Sequence, residues 1–328
     1  CFMGASKKAP FDIPDSTARR LLSAPNPSCR PNSDVVRPWA NGLDITRRGR
    51  EMWIIDFGSS MKEDEAALYE GPFEYARHHV KSEREGRREQ RIVDCWWRFG
   101  RPRVEMRDAI RDCPRYIVTP AVAKHRVFVW LPDTFVPDQQ LLVYATSDDA
   151  NLGILHSRVH EVWSRALGTQ VRERESGFRY TPTTCFETFP LPHPNDGQRT
   201  VIEAAARQID RLRNNWLNPP DWTRTEVLEF PGSADGPWKR YVDPATVDAR
   251  GIGTVRYPRL VPKDAECAKH LKKRTLTNLY NERPTWLDLA HRKLDEAVFA
   301  AYGWPVDLSD DDLLARLLEL NLARAAQT

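Results

Sequence analysis

The sequence predicts an α+β fold: a mixed-sheet domain with inserted helices over residues 1–192, followed by a mainly helical region over 193–328. Three observations carry this expectation. Short β-branched or aromatic phrases crowd the first half, helical periodicity dominates the end, and a proline-dense phrase separates the two. Because the strands do not alternate regularly with helices, a doubly wound parallel sheet is not expected.

The strand phrases are Met52 to Phe57, Tyr116 to Thr119, Arg126 to Leu131 and Leu141 to Ala145, most of them bounded by Gly, Pro or Asp. Between them, Glu63 to Glu85 reads as a polar helix with Ala66, Ala67, Tyr69, Phe73 and Tyr75 on its apolar side, broken or kinked at Gly71-Pro72. A second helix is expected from about Asn151 to Leu167, where Leu152, Leu155, Val159, Val162 and Trp163 recur at helical spacing and Gly168 suits a C-cap. Pro190, Pro192 and Pro194 then permit neither helix nor central strand, and place the boundary. Beyond it, Arg199 to Trp216 and Trp286 to Tyr302 read as helices, and Ser309 followed by three aspartates opens a last helix ending near Ala326. The Pro/Gly-rich segment at about 218–262 is expected to be mostly extended or looped. No internal repeat is evident.

With 41% hydrophobic residues in 328, the chain can bury a substantial core. Mean hydropathy is −0.60, and no segment approaches the about 20 apolar residues of a membrane-spanning helix. The start, Cys1-Phe2-Met3-Gly4, has neither an initiator Met nor the apolar run of a secretory signal and reads as an internal edge. Six scattered cysteines without a Cys-x-x-Cys pair argue against a zinc ribbon and a dense disulfide framework, which favours a reducing, cytosolic setting. Net charge is only +3, but basic residues crowd between Arg77 and Arg115, whereas acids cluster at Glu63-Asp64-Glu65 and Asp310-Asp311-Asp312.

Catalytic chemistry is hard to place. Asn218-Pro219-Pro220 looks like the phrase with which amino-methyltransferases accept hydrogens from a flipped base, but Asp221 delays the aromatic ring to Trp222 and a charged helix precedes it. A proline-terminated helix end is the better reading. Gly251-Ile252-Gly253 lacks the preceding strand of a nucleotide loop. His156 and His160 stand four apart without a third ligand or an adjacent glutamate, and read as polar-face histidines or phosphate contacts. Asp56 lacks the downstream acid and lysine of a nuclease. Trp96-Trp97, beside arginines, reads as core more readily than as a base-stacking platform. What remains is binding chemistry: cations that neutralise phosphates, with Thr, Tyr and Arg able to address base edges.

Several phrases, taken in order, resemble the MmeI-like (Type IIL) class I SAM-dependent DNA methyltransferases downstream of their catalytic domain. They are Phe2-Met3-Gly4-Ala5-Ser6, Asn32 to Trp39, Arg50 to Gly58, Arg115 to Pro120 with Lys124-His125-Arg126, Gly153 to Ser157 with His160 and Trp163, and Arg179 to Pro192. The tail phrases Trp216 to Pro220, Arg274 to Asn281 and Trp286-Leu287 are similar to tails of the same group. The resemblance implies a target-recognition lobe and C-terminal region that read duplex DNA for an adenine-N6 methyltransferase of a restriction-modification or defence system. It implies double-stranded DNA and an upstream methyltransferase domain as partners, and S-adenosylmethionine in the parent enzyme. No cofactor is expected in this chain, which lacks the family's SAM and catalytic phrases. Candidate DNA-binding residues, chosen by chemistry and nearness to the matched phrases, are Lys7, Lys8, Arg47, Arg48, Lys124, Arg126, Arg172, Arg174, Arg179 and Thr181. Two alternatives stay open: a docking module that needs the catalytic lobe to grip DNA, and a compact methyltransferase using Asn218-Pro219-Pro220.

Overall fold

A computed structural model describes residues 1–170 and 177–326. The chain opens with β1 (Phe2–Met3), β2 (Asp12–Ile13), α1 (Asp15–Ser23), β3 (Val36–Ala40), α2 (Gly42–Thr46) and β4 (Trp53–Ile55). The short α2 is fixed by a capping box, in which the Asn41 side chain accepts from the Asp44 amide and the Asp44 carboxylate accepts from the Asn41 amide at 2.9 Å. Next come α3 (Glu63–Ala67), α4 (Glu70–Ala76), a π-helical turn at Arg77–Lys81, α5 (Ser82–Arg84), α6 (Gln90–Asp94) and α7 (Val104–Ile110). The helix expected from 63 to 85 is therefore divided, but at Leu68-Tyr69. Pro72 sits in the first turn of α4, where its missing amide would have had no intrahelical partner.

The middle of the chain supplies β5 (Arg115–Pro120), β6 (Val122–Ala123), β7 (Val129–Pro132), β8 (Val136–Pro137) and β9 (Leu141–Tyr144). They are followed by α8 (Asp149–His156), α9 (Arg158–Leu167), β10 (Thr169–Gln170) and β11 (Phe178–Arg179). The single helix expected from 151 to 167 is two helices. Ser157 turns extended between them, donates to the Ile154 carbonyl at 2.7 Å and caps α9 by accepting from the His160 amide. The C-terminal region comprises α10 (Asp196–Leu217), β12 (Thr223–Ser233), β13 (Ile252–Pro262), α11 (Ala265–Leu271), α12 (Leu276–Glu282), α13 (Thr285–Tyr302) and α14 (Asp310–Ala325).

The sheets are open, and antiparallel but for one pair, consistent with an α+β fold. One runs β1-β9-β5-β7, all antiparallel, and another β2-β4-β3-β8, in which β3 and β8 are parallel. A small sheet, β10-β11-β6, lies beside them. The segment at 218–262, expected to be mostly looped, instead carries an eleven-residue antiparallel ribbon of β12 and β13. Pro231 and Pro258 are tolerated because both strands of a two-stranded ribbon are edges. Its inward residues Leu228, Phe230 and Val255 join Trp238, Phe11, Ile13, Trp53 and Ile55 in one core. A second core unites α8 and α9 with α10, α13 and α14, and a third unites β5 and β9 with Leu276, Leu279, Tyr280 and Leu287. Each of these three cores takes residues from both sides of residue 192. No helix among the described residues is long and apolar enough to cross a membrane.

The junction between the two regions is polar and buried. Arg213 of α10 is 1% exposed. Its Nη2 donates to the Phe128 carbonyl at 2.9 Å, and its Nη1 to His156 Nε2 at 2.6 Å. His156 Nε2 also accepts the Phe128 amide at 3.0 Å, so the imidazole is neutral with its proton on Nδ1. Burial, and then the Arg213 charge, hold the His156 pKa well below its ordinary value. Beside it the Tyr280 hydroxyl meets His291 Nε2 at 3.0 Å. The His160 Nδ1 donates to the Leu155 carbonyl and its Nε2 accepts from the Tyr180 hydroxyl, both at 2.9 Å. Burial lowers the pKa of His160 and of His291 to about 3. The two histidines read as surface or phosphate contacts are thus interior and satisfied. Packing here is close: a Cβ on Gly153 would stand 2.7 Å from Ile202 Cγ2, so α8 and α10 approach where only glycine fits.

Two outcomes follow from this junction. Arg213→Met is expected to lower unfolding stability in urea by about 2–4 kcal/mol, because it removes the arginine donor from the Phe128 carbonyl and one of the two donors from His156. The three histidines take up protons on unfolding, so the stability they support is complete above pH 6.5 and is lost as pH falls toward about 3. Asp295, raised by burial to about 6, works in the opposite sense, favouring the fold as pH falls from about 6 to 3.8. A urea midpoint that stayed flat from about pH 6.5 to about pH 4.5 would contradict buried neutral histidines.

Candidate nucleic-acid interface

Strand pairing builds one side of an open cleft. β11 pairs antiparallel with β6, setting Arg179 opposite Val122, and the Tyr180 amide donates to the Ala121 carbonyl at 2.8 Å. Gly177 enters this pairing at φ +107°, and a Cβ there would stand 3.0 Å from the Ala123 carbonyl carbon, so no other residue fits without strain. The opposite side is α2 and the turn before β9, where the Asp138 carboxylate accepts the Gln140 amide at 2.8 Å. Together Gly42, Leu43, Thr46, Val122, Gln140, Arg179 and Thr181 line a space of about 570 Å³. Gln140 lies across Gly42, its Oε1 3.4 Å from where a Cβ would be.

The lining combines side chains of types able to address base edges. Arg179, Gln139 and Gln140 are exposed, Thr46 and Thr181 half-buried, and Leu43 and Val122 leave 45% and 40% of their surface open. Arginine pairs two donors with guanine, glutamine a donor and an acceptor with adenine, threonine serves either, and aliphatic carbons suit the thymine methyl. Beneath the cleft the support is rigid. Arg126 donates to the Thr119 hydroxyl at 3.0 Å, to the Phe178 carbonyl at 3.1 Å and to the Pro120 carbonyl, with its guanidinium 5.0 Å from the Tyr180 ring centre. Burial lowers its pKa to about 10.

The sequence candidates are divided accordingly. Arg179 and Thr181 meet in the cleft. Arg126 does not, because its two terminal nitrogens are used in fastening β11 to β5. Lys7 is ion-paired to Asp12, and Lys8 to Glu89 at 3.6 Å, and neither lines the cleft. Lys124 is exposed, next to His125, whose Nε2 meets Asn281 Oδ1 at 2.8 Å. Arg47 and Arg48 follow α2 and line a separate groove with Asn218 and Arg274. Arg172 and Arg174 lie outside the described residues. Sequence reasoning missed Gln139, Gln140, Leu43 and Thr46; a polar pair in the turn before a strand was the available signal.

The other motifs are structural. Arg84 donates to the carbonyls of Lys7, Trp96 and Arg98, Arg98 to that of Met61, and Arg107 grips Asp56 with bonds of 2.8 and 3.0 Å. Burial pushes the Asp56 pKa up, but Arg107 outweighs it and holds the carboxyl below its ordinary value. Trp96 and Trp97 are core residues whose indoles donate to Glu63 and to the Met61 carbonyl. Asn218 closes α10, and Trp222 donates its amide to the Pro219 carbonyl at 3.0 Å before β12 begins. Gly251-Ile252-Gly253 enters β13 of the ribbon. Neither phrase stands at the strand-to-helix turn from which a nucleotide loop presents its amides. Among the described residues, no three His, Cys, Asp or Glu side chains gather as metal ligands.

Comparison with known proteins places this geometry. Residues 52–193 match the family model described as "MmeI, target recognition domain". DNA methyltransferase A of Bacillus subtilis (strain 168) is 28% identical over 123 residues, which cover 36% of this chain and 13% of that protein. Among solved structures, the Type IIL restriction-modification enzyme MmeI in complex with DNA superimposes with a TM-score of 0.66 at 17% identity, over 99% of this chain and 35% of that one. The chain thus spans about a third of that solved enzyme.

The strut and the cleft residues are separable by measurement. Arg126→Ala is expected to lower unfolding stability by about 2–4 kcal/mol, and Arg179→Ala to stay within about 0.5 kcal/mol of the parent. Urea titration of both variants checks this, and equal effects would overturn the assignment.

Proposed function

We propose that the chain, whose residues 52–193 match the MmeI target recognition domain model, reads the sequence of duplex DNA for an adenine-N6 methyltransferase. The observation that carries this reading is the cleft: exposed Arg179, Gln139 and Gln140 stand beside aliphatic surface, over a base stiffened by Arg126 and the His160–Tyr180 bond. Side chains that must discriminate bases gain from such support, since a wrong base then leaves fixed donors and acceptors unpaired. Phosphate attraction supplies affinity, and base-edge bonds supply choice.

In the parent protein the methyl donor, S-adenosylmethionine, belongs to a separate catalytic lobe, against which this chain holds the duplex. The setting is the bacterial cytoplasm, within a restriction-modification or defence system. The division of labour assigns reading to this chain and chemistry to its partner lobe.

Fluorescence anisotropy with a labelled duplex tests this. The chain is expected to bind with an affinity that falls steeply and log-linearly with salt. Arg179→Ala is expected to reduce discrimination between preferred and unrelated duplexes by about tenfold or more, corresponding to one lost bidentate base contact. Absence of duplex binding at low salt would contradict the proposal, whereas binding only after addition of the catalytic lobe would favour a docking module.

A further inference from the structure

The recognition cleft ends at α2, but positive charge continues beyond it. On the far side of α2, Arg47, Arg48, Asn214, Asn218 and Arg274 line a groove of about 290 Å³. Its floor is well fixed. Arg48 Nη1 donates to the Leu217 carbonyl at 2.8 Å, which ties the loop after α2 to the end of α10. Thr277 Oγ1 donates to the Thr46 carbonyl at 2.9 Å, which ties α12 to α2 itself. Asn278 Nδ2 donates to the Lys273 carbonyl at 2.8 Å and shapes the turn Lys272-Lys273-Arg274 between α11 and α12.

The charges around this groove are not neutralised within the chain. Among the described residues, Arg47, Arg48, Lys272, Lys273 and Arg274 form no ion pair with a carboxylate, although neighbouring cations do: Arg50 with Asp44, Arg259 with Glu51, Lys269 with Glu266. The two acids lining the groove, Asp44 and Glu51, are the ones already engaged by Arg50 and Arg259. Arg274 is also held in place. Its guanidinium lies 4.5 Å from the ring centre of Trp216 and 5.0 Å from that of Trp222, and Trp222 stacks on His270 at 5.1 Å. A stacked guanidinium keeps its in-plane N–H groups available for phosphate oxygens while losing little further freedom.

We infer that this groove is a second contact for the sugar-phosphate backbone of duplex DNA, made by the C-terminal region through Lys272, Lys273 and Arg274 together with Arg47 and Arg48. It rests on the DNA-reading function proposed above. Because α2 borders both the cleft and the groove, one duplex read in the cleft runs on to meet the basic turn. The contact is indifferent to sequence: it lengthens the footprint and adds affinity without adding choice.

The test uses the 328-residue chain with Lys272→Ala/Lys273→Ala and, separately, Arg274→Ala. The expected result for the double variant is roughly five- to twentyfold weaker binding at moderate salt, equal for preferred and unrelated duplexes, and a log–log salt slope shallower by about two. Hydroxyl-radical footprinting is expected to lose protection at one end of the site while the centre stays protected. An unchanged urea midpoint in each variant shows that the fold is intact; for the double variant this is expected, as both lysines are exposed. Should Arg274→Ala disturb folding, the double variant alone decides. Normal recognition with unchanged slope and footprint would overturn this inference and leave the reading function standing. A loss confined to the preferred duplex would overturn it in favour of base contacts, and failure of the unmodified chain to bind any duplex would overturn both.

Discussion

The guanidinium of Arg213 sits where the strand-rich middle of the chain meets its helical tail, with carbonyl, imidazole and phenol oxygen or nitrogen atoms as its near partners. A cation in that position is costly unless it is paired; both terminal nitrogens of Arg213 have acceptors and Asp210 pairs with it at 3.5 Å, while its Nε has no partner. The surroundings are therefore chosen to accept. The Phe128 carbonyl is fixed, and His156 is held neutral with a lone pair toward the arginine. From Phe128 the order passes outward. Its ring meets those of His160 and Tyr180, Tyr180 donates to His160, and the chain then arrives at Arg179 and Thr181 in the cleft. One buried polar junction thus sets both the docking of the tail and the stiffness of the surface proposed to read DNA.

Arginine recurs inside this molecule as a connector between irregular segments. Arg84, Arg107 and Arg126 each reach acceptors from two places in the chain, and Arg98 reaches the carbonyls of residues 59–61. A planar five-donor group suits this work, because short strands and loops leave carbonyls that no ladder satisfies. The functional consequence is electrostatic. Within the basic run from Arg77 to Arg115, Arg77, Arg87, Arg107, Arg111 and Arg115 are ion-paired with carboxylates, so the run's field is weaker than its count of cations implies. Cations open to a polyanion stand around α2 and β11 as well, at Arg47, Lys124, Arg179 and the turn at Lys272.

Much of the fold was legible in the sequence, because periodicity reports burial. The strands at 116–119 and 141–145 and the capped helix after Ser309 express a local preference that tertiary structure agrees with. The failures had local causes too. Ser157 interrupts a helix because it caps the next one, which apolar spacing cannot reveal. The ribbon of β12 and β13 was hidden by its prolines, although Leu228 and Phe230 alternate with Glu229 as a half-buried strand should. Of the site, Arg179 and Thr181 were legible as loop residues of suitable chemistry. Arg126 was not, since its role depends on carbonyls of Pro120 and Phe178 that only the folded chain brings near. Gln139 and Gln140 were passed over because uncharged residues give no signal in a search for phosphate contacts.

The central claim is the location of the reading surface, and site-specific photocrosslinking addresses it most directly. With a benzoylphenylalanine at position 140, and in a second protein at position 8, irradiation of the duplex complex is expected to link position 140 to bases and to leave position 8 unlinked. Crosslinks from position 8 with none from position 140 would contradict the account.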